Sequence, residues 1–226
     1  MMLHTPGVLT QQQVAEFRRA LEGASWVDGS KTAGSQATQV KKNLQLSASS
    51  SVSEELGVHV LRALKAHPLF VSSVLPKHIL PPLFNCYQGG GQYGNHVDNA
   101  LRNDVLNDVQ VRTDVSTTLF LSNPEEYEGG ELVIEDVYGV HEVKLPAGDA
   151  IIYPATSLHR VEPVTQGVRL ASCLWTQSLV RDDWRRTMLF NLDMTIIKLR
   201  QQLGDTAEVV ALTSHYHNLL RQWIEA

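Results

Sequence analysis

Between residues 83 and 179 the chain is a succession of short apolar segments with the length of β-strands, separated by turn residues. Such a series predicts an antiparallel β unit rather than alternating strands and helices. About eight segments of this kind favour a double-sheet jelly roll. The predicted strands are residues 83–87, 92–98, 115–122, 131–136, 140–145, 149–153, 158–164 and 168–179.

Two segments before the β region have helical periodicity. Residues 10–22 and 52–66 each place apolar residues on one face, with predicted N-caps at Thr10 and Ser51 and a helix stop at His67-Pro68. We therefore expect two helices to precede the β unit.

The C-terminal segment has helical periodicity as well. Residues 181–204 and the segment after the predicted capping box at Asp205 predict an αα-hairpin. The predicted fold is thus mostly β with flanking helices: a jelly-roll domain at 1–180 and a helical extension at 181–226 that could join two subunits. The first helix of this C-terminal hairpin has a predicted apolar stripe, formed by Trp184, Met188, Leu192, Ile196, Leu199 and Leu203.

Composition narrows the range of partners. The formal net charge of −5 over 226 residues argues against a basic surface for nucleic acid or a membrane. No apolar run approaches the ~20 residues of a membrane-spanning helix, and the N-terminus lacks the features of a signal peptide. Two cysteines, Cys86 and Cys173, fit buried thiols in a cytoplasmic protein, although the sequence leaves open whether they are neighbours.

Three residues predict a metal site. His96 and Asp98 stand two apart in a predicted strand, so their side chains point to the same face. His159 lies 63 residues later in another predicted strand. Two histidines and one carboxylate match the facial triad that binds non-haem Fe(II) and leaves other positions open. Read one at a time, each could instead be a structural histidine or a turn carboxylate.

A cation follows the second histidine. Arg169 comes ten residues after His159, and its guanidinium could bind a carboxylate through two parallel hydrogen bonds. Strand alternation puts Ala171, Cys173 and Trp175 on the same face as Arg169. The small Ala171 beside Arg169 leaves room for a ligand.

These motifs and their surroundings resemble the Fe(II)/2-oxoglutarate-dependent dioxygenases. Within them, the chain is similar to the bacterial PKHD type, the prolyl/lysyl-hydroxylase-domain hydroxylases linked to iron uptake. The resemblance covers most of the chain. The matching residues are 87–98, 118–124, 127–132, 148–154 and 159–161, followed by Arg169, Trp175 and Arg181.

The resemblance implies a fold, a reaction and a set of roles. The fold is the double-stranded β-helix, and His96, Asp98 and His159 are the catalytic residues that hold Fe(II). The co-substrate 2-oxoglutarate occupies two iron positions, and Arg169 and Tyr87 hold its far carboxylate. O2 is the oxidant, succinate and CO2 are released, and ascorbate (vitamin C) could support turnover. The hydroxylated substrate, small molecule or peptide, is not identified.

Other classes of protein stay open on the residues alone. A cupin-like protein could hold a metal or a small ligand without turnover, and a sensor could report Fe(II) and 2-oxoglutarate levels. A Zn(II) hydrolase also uses such ligands but needs a general base, and no H-E-x-x-H motif is present. Arg169 argues against a plain binding barrel, which needs no buried cation.

The stretch 99–114, directly after Asp98, is polar and has little periodicity. A long loop at this position is a candidate lid over the substrate, with Arg102 and Arg112 as its cations. A solvated loop without a role is an equally good interpretation.

Overall fold

The computed structural model describes residues 1–32, 40–47, 49–104 and 107–225. The helices are α1 (Gln11–Glu22), α2 (Ser51–Ala66), α3 (Pro68–Val74), α4 (Asp183–Leu203) and α5 (Ala207–Trp223). The strands are β1 (Leu3–Thr5), β2 (Trp26–Asp28), β3 (Lys41–Lys42), β4 (Leu44–Leu46), β5 (Pro76–Ile79), β6 (Leu83–Tyr87), β7 (Gly91–His96), β8 (Leu101–Asp104), β9 (Val109–Arg112), β10 (Val115–Phe120), β11 (Tyr127–Gly129), β12 (Leu132–Asp136), β13 (Gly139–Val143), β14 (Ala150–Pro154), β15 (Leu158–Gly167) and β16 (Arg169–Ser178).

Two antiparallel sheets form the body of the protein. The larger runs in the order β1-β14-β10-β16-β6-β4-β2, with β5 also paired to β16. The smaller runs β13-β12-β15-β7-β3, with β11 also paired to β15. Side chains from both sheets meet in one buried cluster, in which Phe120 and Tyr153 of the larger sheet join Leu132 and Val161 of the smaller. This confirms the predicted jelly roll.

The N-terminal helices cover the outer face of the larger sheet. Phe17 of α1 and Val60 of α2 are buried in one cluster with Phe84 and Leu119 of the sheet. Because the outer face is sealed in this way, the strands that carry the cavity are supported from behind.

The ends of the helices can be compared with the capping and stop residues that the sequence predicted. α1 begins after Thr10, whose side chain accepts a hydrogen bond from the Gln13 backbone N–H in a complete capping box, as predicted. The predicted cap of α2 is wrong by one residue, because Ser50 rather than Ser51 caps it. α3 was missed: Pro68 ends α2 but also starts a new helix, since proline suits a first turn, where no N–H is needed.

The C-terminal helices pack as a hairpin, as predicted, and dock on the body beside α3. Leu189 of α4 is buried with Leu75 and Val180, and side chains of α5, including Trp223, cover them. The predicted apolar stripe is wrong in part: Ile196 is buried, but α3 and α5 also bury Leu189 and Phe190 and leave Trp184 70% exposed. The cap of α5 is Thr206 rather than Asp205. The domain boundary after residue 180 stays a prediction.

The stretch 99–114 is not a loop. Its described residues form a β-hairpin, β8–β9, a two-stranded sheet separate from the two main ones. Val111 and Asp104 are buried, whereas Leu101 and Val109 are exposed, so the hairpin has no continuous apolar face and its composition indicated a loop.

Cys86 and Cys173 are both free thiols. They pair in register with Leu170 and Leu83 respectively on adjacent strands, which places them on opposite faces of the sheet.

In the described part of the chain, no helix is long and apolar enough to cross a membrane.

Candidate active site

One cavity lies between the two sheets, and the predicted metal ligands and co-substrate residues all line it. His96, Asp98, His159, Tyr87 and Arg169 all contribute to its wall. Ala171, Cys173 and Trp175 follow Arg169 along β16 on the same wall, as strand alternation predicted.

The three predicted metal ligands converge. Ligand atoms of His96, Asp98 and His159 all lie within 4.8 Å of one another, and Nε2 of His159 is 3.8 Å from Oδ2 of Asp98. His96 and His159 pair directly in the register of β7 with β15. The expectation that Asp98 is part of the strand is wrong, because β7 ends at His96. The chain beyond the strand nevertheless returns the carboxylate to the histidines.

Hydrogen bonds fix which ring nitrogen each histidine presents to the site. Nδ1 of His96 lies 2.8 Å from the carbonyl oxygen of Gly94, and Nδ1 of His159 lies 3.0 Å from that of Ser157. A carbonyl can only accept, so each Nδ1 carries a proton and Nε2 is the nitrogen left available to the cluster. Bonds of this kind orient metal-binding imidazoles in proteins.

The surroundings hold the ligands in their binding form. Burial, reinforced by the neighbouring His159, lowers the pKa of His96 to about 4, so this ring is neutral at pH 7. The ring of Tyr93 stacks on His96 with 3.6 Å between centroids, and Tyr153 meets His159 edge-on at 5.2 Å. Both aromatic rings limit rotation of the imidazoles.

Ser116 is a site residue that sequence reasoning missed. Its hydroxyl donates to Oδ2 of Asp98 at 2.5 Å, and the side chain is buried on β10. A serine in an apolar strand gives no local signal, because only the pairing of distant strands brings it to the carboxylate.

Arg169 is the buried cation of the cavity. It is 2% exposed, and its guanidinium carbon lies 5.3 Å from the centroid of Tyr87 and 5.2 Å from that of Phe120. Its Nε and Nη2 atoms have no acceptor among the described residues. Buried N–H donors without acceptors are costly, so these two donors fit a carboxylate that enters from outside the chain.

Tyr87 stands beside this cation. It lies opposite Arg169 in the register of β6 with β16 and is almost fully buried. Burial raises the pKa of the Tyr87 phenol above its ordinary value, although the charge of Arg169 works in the opposite direction. The phenol is therefore protonated at pH 7 and has a proton to donate to an anion.

A glycine makes room for Arg169. Gly130 has φ +68°, and a Cβ there would lie 2.7 Å from Cγ2 of Val164 and 3.1 Å from Cδ of Arg169. Only glycine combines this backbone conformation with such a close approach. The turn after β11 therefore helps to define where the guanidinium lies.

The matches to known proteins agree with this geometry. Residues 82–177 match the 2OG-Fe(II) oxygenase superfamily, and residues 183–225 match the PKHD-type hydroxylase C-terminal domain. A solved prolyl hydroxylase from Trichoplax adhaerens, in complex with a hypoxia inducible factor oxygen degradation domain peptide, superposes with a TM-score of 0.59. It is 14% identical, with 83% of this chain and 86% of that chain covered, so the likeness shows the fold alone. Fold and matched sequence define a 2OG-Fe(II) oxygenase.

Full-length relatives narrow the family. A PKHD-type hydroxylase from Hyphomonas neptunium is 64% identical over 226 residues, with all of both chains covered. Another from Herminiimonas arsenicoxydans is 57% identical over 222 residues, which is 98% of this chain and 99% of that one. The chain belongs to the PKHD-type hydroxylases, as the sequence resemblance indicated.

Proposed function

We propose that this oxygenase couples the conversion of 2-oxoglutarate to succinate and CO2 with hydroxylation of a small-molecule or peptidyl substrate. His96, Asp98 and His159 would hold Fe(II), while Arg169 and Tyr87 would hold the far carboxylate of 2-oxoglutarate. When bound, the iron and 2-oxoglutarate supply the oxidising chemistry, in which O2 provides the oxygen atom placed on the substrate.

The residues of the chain supply binding and orientation. The imidazoles of His96 and His159 are oriented by hydrogen bonds from Nδ1 that leave Nε2 available to the cluster, and Ser116 holds the Asp98 carboxylate toward them. The cavity wall is otherwise largely aromatic and aliphatic, which limits access of water to the reacting groups.

One observation carries the proposal: Arg169 is buried on the same cavity as the three-ligand cluster, with two N–H donors that lack described acceptors. A protein that only stored metal would have no use for this cation, and burying it costs free energy. A dicarboxylate that reaches both features satisfies the cluster and the guanidinium together.

Titration under nitrogen tests the proposal. Fe(II) and then 2-oxoglutarate are added to the purified protein, and a weak visible metal-to-ligand band is expected only when both are present. Asp98→Ala should lose iron and the band, whereas Asp136→Ala, on an exposed turn of the β12–β13 hairpin, should keep both. Full iron retention and succinate formation by Asp98→Ala would show that the ligand assignment is wrong.

Four further expectations belong to the same proposal. Ascorbate should raise the number of turnovers before inactivation, which repeated succinate assays would show. Cell fractionation should place the protein in the cytoplasm. Gel-shift assays should show no binding to nucleic acid. A homo-oligomer formed through the C-terminal helices would use the exposed Trp184, so sedimentation of Trp184→Ala beside the natural chain tests it.

A further inference from the structure

The cavity carries more positive charge than iron and 2-oxoglutarate require. Lys41, Arg102 and Arg169 line it, and Asp98 is the single acidic residue among its described lining residues. Under the proposed function, on which this inference rests, Asp98 binds the metal and Arg169 binds 2-oxoglutarate. Arg102 then has no assigned anion.

Arg102 stacks on an aromatic ring of the cavity wall. Its guanidinium carbon lies 3.8 Å from the ring centroid of Trp175, a side chain only 8% exposed. Among the described residues, no carboxylate pairs with Arg102. A guanidinium stacked on an indole keeps its N–H edge free, and that planar edge matches a carboxylate.

The other cation of the hairpin differs in this respect. Nε of Arg112 donates to Asp114 at 2.7 Å, and its Nη1 donates to Glu225 at 3.0 Å. Arg112 does not line the cavity. It serves the structure, whereas Arg102 faces the site.

Packing fixes the indole ring of Trp175 in place. Val111, opposite Arg102 in the hairpin, is buried in one cluster with Trp175 and Leu80. The backbone N–H of Asp114 donates to Thr176 at 3.1 Å, which ties the base of the hairpin to β16. When the hairpin lies against β16 in this way, Arg102 has a defined position over the indole ring.

The position also separates Arg102 from the 2-oxoglutarate end of the cavity. Arg169 and Trp175 are six residues apart on β16, roughly 20 Å along a strand, which is too far for one 2-oxoglutarate to bridge. Trp175 pairs in register with Ser116, the residue that orients Asp98. Arg102 thus lies at the metal end, where a substrate must enter.

We propose that Arg102, stacked on Trp175, binds a carboxylate of the substrate, so that this enzyme hydroxylates an organic acid. The carboxylate belongs either to a free acid or to an acidic side chain of a peptide. Bound there, it holds the neighbouring carbon atoms of the substrate close to the metal ligands.

Calorimetry on the anaerobic protein loaded with Fe(II) and 2-oxoglutarate tests this. The probes are N-acetyl amino acids with a free carboxylate, the matching primary amides, and N-acetyl-aspartyl and N-acetyl-glutamyl amides for the peptidyl case. We expect an acid to bind about tenfold or more tightly than its amide, and Arg102→Gln to remove that preference. Arg112→Gln, the matched control on the same hairpin, should retain it.

The outcomes separate this inference from the proposed function. Equal binding of acids and amides, no binding of any acid at millimolar concentration, or an unchanged preference in Arg102→Gln would each overturn it. So would a loss confined to 2-oxoglutarate affinity, since Arg102 would then serve the co-substrate. The visible metal-to-ligand band of the Fe(II) and 2-oxoglutarate complex is recorded first. If the band is absent, the proposed function is refuted. If it is present, the preference for acids over amides tests the role of Arg102 alone.

Discussion

Tyr87 and Arg169 face each other directly across the antiparallel pair of β6 and β16, both buried and both on the cavity wall. The pair combines a fixed positive charge with a protonated phenol, which together can bind one carboxylate. Because both residues belong to central strands of the larger sheet, neither can withdraw without breaking the sheet.

Replacement of Arg169 by Lys should weaken 2-oxoglutarate binding by about tenfold or more. Lysine keeps the charge but loses the planar fork, and a hydrogen bond to a charged group contributes ~1.5–3 kcal/mol. Titration of the anaerobic Fe(II) protein measures the affinity. Arg62→Lys, at an exposed position of α2, is the control. An unchanged affinity even in Arg169→Ala would remove Arg169 from the site.

Replacement of Ser116 by Ala should weaken metal binding while leaving all three ligands in place. Loss of a hydrogen bond that orients a ligand typically costs about tenfold or more in metal affinity. Competition titration with Co(II) measures it, and Ser214→Ala on the exposed side of α5 is the control. Equal affinities of the Ser116 variant and the natural chain would mean that Asp98 is held by its backbone alone.

Alanine substitutions at two glycines distinguish the effect of backbone strain from the effect of crowding at the site. Gly130 and Gly204 both have positive φ, +68° and +73°, but a Cβ at Gly204 meets no atom within 4 Å. Gly204, with ψ −163°, lies in a region that almost only glycine adopts, so Gly204→Ala should lose stability of about 1–3 kcal/mol and keep 2-oxoglutarate affinity. Gly130→Ala should lose more stability and also lose affinity, because its methyl group displaces Arg169. Thermal unfolding and ligand titration report the two effects. Similar losses in both variants would contradict the crowding argument.

Leu189→Ala should destabilise the whole protein. Leu189 is fully buried between α4 and the body, and such truncations cost ~2–5 kcal/mol. For a chain of this size the midpoint of thermal unfolding should fall by roughly 5–15 °C. Leu203→Ala, at a residue 60% exposed on the same helix, should change it little. If both variants melt alike, the C-terminal helices do not stabilise the body.

The hairpin β8–β9 should open in the free protein and close over the substrate. It pairs with neither main sheet, and an isolated two-stranded hairpin is only marginally stable, although Arg102 and Val111 pack at its base. Trypsin should cut within residues 99–114 before it cuts the barrel strands. Fe(II), 2-oxoglutarate and a bound acid together should suppress that cleavage. Resistance in the metal-free protein equal to that of the barrel would show a fixed wall and end the lid hypothesis.

The sequence predicted best what local chemistry decides. Turn residues bounded most of the barrel strands, β6 at its observed ends, and the capping box at Thr10 placed α1. The convergence of His96, Asp98 and His159 was also predicted, because few patterns other than a metal site explain two histidines and a carboxylate at this spacing.

What escaped prediction depends on contacts between distant segments. The buried face of α4 depends on contacts with α3 and α5, so the periodicity of α4 alone predicted Ile196 correctly and Trp184 wrongly. Ser116 became a site residue only through the pairing of β10 in the larger sheet and the path of the chain after β7. The hairpin was not predicted because its composition is polar and, among its described residues, Val111 is the apolar one that is buried.

The direct pairing of His96 with His159 makes the metal site a check on how the sheet is assembled. Bulges interrupt the β7–β15 ladder between His159 and Val161 and between Val161 and Val164, so the alignment at the histidines depends on both irregularities. A slip of one residue would turn His159 to the outer face and leave two ligands. If these residues hold iron as proposed, metal binding would favour the aligned sheet by mass action, and iron retention would distinguish correctly assembled molecules from misaligned ones.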